Sequence, residues 1–209
     1  MAHPIVIEGF RYKDLPPLNP RKVPIEADLS RHDVHVLHEL CRGKTVVEFG
    51  TGGSTLLLAR FARVVVSYEH DKEWINFVHR AAVRRRKAGT RMCRIILEHV
   101  PDCMPPRSVP RVGVAFIDGR RDHRHFWVEF ALRRKIAPVI VLHDSRAEKS
   151  PIAACQSLLT WPLTLRIDRV AYHYKNSNHL VVWMRDRPAL YENWNRIEKS
   201  GRLPHLHKQ

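Results

Sequence analysis

The sequence has no Cys-x-x-Cys pair. Its four cysteines, Cys41, Cys93, Cys103 and Cys155, are scattered. That spacing argues against a structural zinc site and leaves free thiols in a reducing compartment as the expectation. No apolar run approaches the ~20 residues that a bilayer-spanning helix needs. The first residues, MAHPIVIEGF, lack the charged start and long apolar centre of a secretory signal. These absences predict a soluble, cytoplasmic protein. Acid is scarce: 21 Asp and Glu stand against 36 Lys and Arg, giving a formal net charge of +15. The excess has two readings. One is a polyanionic partner, whether RNA, DNA or an anionic surface; the other is a set of Arg-rich, solvated faces. The run Arg84 to Lys87 shows the ambiguity, because cations at a helix end complement the helix dipole without any ligand. No RNP-like aromatic motif or zinc finger accompanies the charge.

What is present is a core and an alternation. With 44% hydrophobic residues in 209, the chain can form one domain with a sizeable interior. Residues 1–30 are Pro-rich and read as an irregular arm. LSRHDVHVLHELCRGK reads as a helix capped by Ser30, with Val34, Leu37 and Leu40 on one face and Gly43 at its end. TVVEF is a short buried strand, STLLLARFA is helical, and RVVVSYEH is a second strand. DKEWINFVHRAAVRRRKAG reads as a helix capped by Asp71, with Trp74, Phe77, Val78 and Ala81 inward. CRIILEHV, VGVAFIDG and APVIVLHD are further strands, DHRHFWVEFALRRK a helix, and IAACQSLL another. Five such alternations predict an α/β, doubly wound, mostly parallel sheet. LTLRIDRVAYHY and NHLVVWMR, joined by KNSN, predict an antiparallel hairpin at one edge. The domain then covers residues 31–187, and 188–209 form a helix and a basic tail. There is no internal repeat.

In open sheets of this kind, ligands bind beyond the carboxyl ends of the strands. Four tips converge there: Glu48 to Gly53, Glu69 to Asp71, Asp118 with Gly119, and His143 with Asp144. The first tip, VVEFGTGGST, carries three of the chain's nine glycines. It lacks the Gly-Lys-Ser/Thr of a P-loop, and Thr55 stands where a dinucleotide fingerprint needs its third glycine. Glu48 would also repel a pyrophosphate. A ligand with positive charge and no phosphate fits better, and S-adenosylmethionine has both a sulfonium and an ammonium. Glu69 follows about 20 residues later, where an acid grips the two hydroxyls of a ribose. Its plainer reading is support for Asp71 at the helix start.

The segments VVEFGTGGSTLLLAR, VVVSYEHDKEW, VAFIDGRRDHRHFWVEFALRR and VIVLHDSR resemble class I S-adenosylmethionine-dependent methyltransferases. They are most similar to the subgroup with E-x-G-x-G-G-S-T and I-D-G-R motifs. The resemblance spans about residues 40 to 185. It implies a Rossmann-like, seven-stranded sheet with an antiparallel C-terminal hairpin. It further implies that Glu48, Gly50, Gly52, Gly53 and Ser54 hold the methionine end of the cofactor. Glu69 would hold the ribose, His70 and Asp71 would flank the adenosine, and Asp118 would close the site. Asp102 is a loose match to an acid near the adenine.

Methyl transfer is an in-line displacement, so the protein must hold the acceptor and take a proton from it. Asp118, Asp144 and His143 are the catalytic candidates, with His123 as a further base on the rim. Some methyltransferases of this fold bind Mg²⁺ at these two strand ends, which would make Asp118 and Asp144, with Ser145, metal ligands. His143 and Ser145 depart from that pattern. The pairs His35/His38, His123/His125 and His205/His207 lie on no persuasive ligand set. Trp74, Phe77, Phe126, Trp127 and Trp183 have core-like spacing, whereas Tyr172 and Tyr174 are candidates on the substrate side. The amino-methylating N/D-P-P-Y/F signature is absent, since IDGR stands in its place. The expectation is therefore an O-directed methyltransferase of unknown acceptor. Its alternative is a non-catalytic basic protein of the same fold that binds nucleic acid or another polyanion.

Overall fold

The computed structural model describes residues 5–7, 27, 29, 31–100, 106, 108–120, 123–143, 163–167 and 180–184. The expected helix IAACQSLL, the C-terminal helix and basic tail, and Asp102, Asp144, Ser145, Tyr172 and Tyr174 lie outside the described residues. Among the described residues no helix is long and apolar enough to cross a membrane.

Five parallel strands make the centre: β2 (Thr45–Phe49), β3 (Val64–Glu69), β4 (Arg94–His99), β5 (Val114–Ile117) and β6 (Val139–Leu142). Their spatial order is β4-β3-β2-β5-β6. The chain therefore leaves β2 in one direction and returns on its other side at β5, which makes the tips of β2 and β5 the place where the strand order switches. Three strands pair antiparallel at the flanks. β1 (Ile5–Ile7), within the arm read as irregular, adds to β4, with Val6 opposite Ile96. β8 (Leu180–Met184) adds to β6, and β7 (Leu163–Ile167) adds to β8.

Alternation along the strands feeds two cores. Val46, Val65, Ile95, Val114 and Val139 face α1 (Arg31–Cys41), α2 (Gly53–Leu58) and α3 (Lys72–Lys87). Val47, Phe49, Val66, Ala115, Ile117 and Ile140 face α4 (Arg124–Arg133). Phe49 stacks on Trp127 with ring centroids 4.4 Å apart, so Trp127 is packing, as its spacing suggested.

Local signals explain the helix ends. The Asp71 side chain accepts from the backbone N–H groups of Glu73 and Trp74, an N-cap as expected. α3 buries Ile75, Val78, Ala82 and Val83 rather than centring on Trp74, which stays 40% exposed. Trp74 sits in the first turn, where its indole N–H reaches out to the Thr51 carbonyl. An amphipathic ring favours such a half-buried position.

Two glycines with positive φ differ in kind. Gly43, at +69°, has open space where a side chain would go. Gly50, at +100°, has the backbone of Gly119 there, 2.4 Å from an added Cβ. Gly43→Ala should cost only the ~1–2 kcal/mol of a left-handed residue. Gly50→Ala adds a backbone collision, so its loss in urea unfolding should exceed that of Gly43→Ala by about 2 kcal/mol or more. Equal losses would mean that the two tips can move apart freely.

Candidate active site

Beyond the tips of β2, β3 and β5 lies an open cavity of about 360 Å³, lined by Thr51 to Ser54, Glu69 to Asp71, Trp74, Asp118 to Arg120, and Ala27. Its size lies within the range of small-ligand sites. Three of the expected tips, those of β2, β3 and β5, thus meet at one cavity. At the fourth, His143 is 3% exposed and stands behind the cavity wall rather than on the rim.

Glu48 does not line the cavity. Residue alternation turns it to the α1–α3 face of the sheet, where Val46 also points, and it is fully buried. Its register partner on β3 is Ser67, whose hydroxyl donates to the carboxylate at 2.7 Å. Ser54 and Thr55, from the first turn of α2, each donate at 2.6 Å. Thr55 Oγ1 in turn accepts from the Gly52 N–H at 2.8 Å, and the Thr51 and Ser67 hydroxyls share a hydrogen bond of 2.7 Å. Glu48 therefore fixes the shape of the glycine loop from beneath. The reason it was expected at the ligand is the charge of a free carboxylate. Burial instead pushes its pKa up to about 8, against the pull of the three hydroxyls and with a smaller push from Asp118.

Glu69 is the carboxylate that faces the cavity, and it is only 7% exposed. One oxygen accepts from the Thr51 N–H at 2.9 Å. The other accepts from the N–H groups of His70 at 2.8 Å and Asp71 at 3.1 Å, and pairs with the His70 ring. Both readings of this residue thus coexist: it supports the start of α3, and it presents an oriented carboxylate to the cavity. Oε2, with one partner, retains acceptor capacity for a ligand, whereas Oε1 is already engaged by two N–H groups and the His70 ring.

Asp118 is the other acid at the wall, with its side chain 20% exposed. His143 Nδ1 lies 2.6 Å from its Oδ1, and Arg124 Nη2 lies 3.3 Å from the same atom. A divalent cation on this carboxylate would stand beside a buried guanidinium, and like charges at such range repel. The described residues therefore do not fit Mg²⁺. Among them no group of three or more His, Cys, Asp or Glu side chains is placed to hold a metal.

Residues of the site that escaped sequence reasoning include Thr51, Thr55, Ser67, Arg120 and Arg124. Ser67 did leave a signal, as a small polar residue that breaks the apolar run Val64 to Val66 within the strand. Thr55 left another, standing at the position of the missing third glycine.

No protein-family profile matches the chain, and no curated protein sequence does. Solved structures do match. A putative O-methyltransferase from Klebsiella pneumoniae superposes with TM-score 0.56 and 19% identity, over 78% of this chain and 84% of that one. An rRNA methylase from Streptococcus thermophilus gives 0.54 and 13%, over 77% and 100%. The N-terminal domain of human METTL16, in complex with SAH, gives 0.52 and 13%, over 75% and 68%. The chain has the fold of class I S-adenosylmethionine-dependent methyltransferases.

Glu48 supplies a prediction. Its pKa rises from 4.5 in the unfolded chain to about 8 in the fold. Between those values the folded protein holds a proton that the unfolded chain has released, so this contribution to stability falls as pH rises. Glu48→Gln cannot ionise. Its melting temperature should be similar to that of the wild type near about pH 5 and higher near about pH 9. Parallel declines in both proteins would place the pH dependence elsewhere.

Proposed function

We propose that the protein is an S-adenosylmethionine-dependent methyltransferase of the O-directed kind, since IDGR stands at the end of β5 in place of an amino-methylating signature. The observation that carries the reading is Glu69, a carboxylate held by three backbone N–H groups with its face to the cavity. An oriented carboxylate whose Oε2 keeps a lone pair suits a ribose hydroxyl. S-adenosylmethionine would supply a methyl group to the acceptor's lone pair while its sulfonium becomes a thioether.

In this reading the chain's residues have separate tasks. Glu69 Oε2 accepts from a ribose hydroxyl, with His70 and Asp71 beside the adenosine. Gly52 and Gly53 let the backbone approach, and Ser54, tied to Glu48, keeps the loop in place. Asp118 faces the positive end of the donor, the task first given to Glu48. Gly50 serves by admitting Gly119 rather than by touching the ligand. Asp144 is the group to take the acceptor's proton, and His143, behind the wall, acts through Asp118 rather than on the acceptor. With Arg124 beside Asp118, the reading makes no use of Mg²⁺. The same reading takes β2 to β8 as the family's seven strands, β7 and β8 as its C-terminal hairpin, and β1 as an addition. It takes residues 31–187 as the catalytic domain, flanked by the 1–30 arm and the 188–209 tail. The acceptor is left open by the fold.

The test is calorimetric titration of S-adenosylhomocysteine. The wild type should bind, and Glu69→Gln should bind about 10- to 100-fold more weakly, as expected when charge-assisted hydrogen bonds are lost. Gly52→Val is a second probe. An added Cβ there meets only the Trp74 indole nitrogen, at 4.0 Å, so the variant should fold and yet bind poorly. No binding by the wild type would overturn the reading. It would favour the non-catalytic alternative, a basic protein whose affinity for nucleic acid falls steeply with salt.

A further inference from the structure

Arg124 stands at the first position of α4 and is 5% exposed. A buried guanidinium is costly unless its donors are matched. Here they are matched across two strands. Nε donates to the Gly119 carbonyl, just past the end of β5, at 2.7 Å. Nη1 donates to the His143 carbonyl, just past the end of β6, at 3.0 Å. Nη2 reaches Asp118 Oδ1 at 3.3 Å. Among the described residues one planar cation thus joins three oxygens: two backbone carbonyls on neighbouring tips and the carboxylate on the cavity wall.

Those three oxygens are the ligand types that a hard divalent cation takes. A guanidinium differs in being covalently attached and directional, and its fork fixes angles as well as charge. We propose that Arg124 is a built-in cation at the tips of β5 and β6: it positions the Asp118 carboxylate on the cavity wall and takes the place a divalent metal would need there. The proposal rests on the methyltransferase reading of the cavity. Arg124 acts through Asp118 and is a positioning residue. His143 shares the arrangement, since its carbonyl takes one Arg124 donor while its ring holds Asp118.

The experiment is titration of S-adenosylhomocysteine into the wild type and Arg124→Ala, first in EDTA and then in MgCl2. The variant is also titrated in guanidinium chloride at millimolar, non-denaturing concentration. The wild type should bind equally in EDTA and Mg²⁺. Arg124→Ala should bind at least about tenfold more weakly in EDTA, the scale expected when a charged hydrogen-bonding group is lost. Free guanidinium should recover part of that loss by remaking the hydrogen bonds to Asp118 and the two carbonyls. Should Arg124→Ala not fold, Arg124→Lys keeps the charge but cannot span both carbonyls, and it should still bind several-fold more weakly. Three results overturn the proposal: tighter wild-type binding in Mg²⁺, wild-type affinity in the folded variant, or a loss that guanidinium leaves unchanged. Absence of binding by the wild type in every buffer would remove the methyltransferase reading, and this proposal with it.

Discussion

Two backbones without side chains meet at the centre of this molecule. A Cβ on Gly50 would fall 2.4 Å from both the Cα and the N of Gly119. The Asp118 N–H also donates to the Phe49 carbonyl, which continues the β2–β5 pairing to the rim. The consequences run outward. Because the tips touch, the loop from Thr51 to Ser54 and the wall at Asp118 border one cavity. Because β2 is central, Glu69 on β3 reaches the same cavity from the other side. The floor is set by an exclusion of side-chain volume, and the polar groups are arranged upon it.

The second constraint is the carboxyl beneath the loop. A buried acid raises the free energy of the fold unless its oxygens are satisfied. Here Ser54, Thr55 and Ser67 satisfy them from three positions in the chain. The loop N–H of Gly52 joins the same network through Thr55. A loop rich in glycine would otherwise have many conformations open to it. Glu48 narrows them, which explains an acid at a place that contacts no ligand space.

Much of this was legible in the sequence. β-branched runs alternating with helical stretches specified five parallel strands, and Asp71 announced its own cap. The convergence of tips followed from topology alone. What was not legible was the direction in which a polar side chain at a strand end points. Glu48 and Glu69 are both acids at strand tips beside a helix start. Residue parity in the pleat sends Glu48 into the α1–α3 core, whereas Glu69, one residue beyond the last β3 position level with β2, turns to the cavity. Arg124 was hidden for another reason. In a chain with 36 Lys and Arg, one buried arginine has no local mark, since only the folded neighbours show that three oxygens await it. Trp74 fitted a core stripe by spacing, but its indole N–H required a polar partner, and the nearest was the loop.

The short strand at the start of the chain bears on a different matter. A parallel sheet ending at β4 would present a row of unpaired N–H and C=O groups, a template on which another chain can add a strand. β1 covers part of that row, with Ile5, Val6 and Ile7 opposite Leu97, Ile96 and Ile95. Being three residues long, it leaves a new edge too short to extend far. β1 thus covers the part of the β4 edge at Ile95, Ile96 and Leu97 that would otherwise be open to another strand.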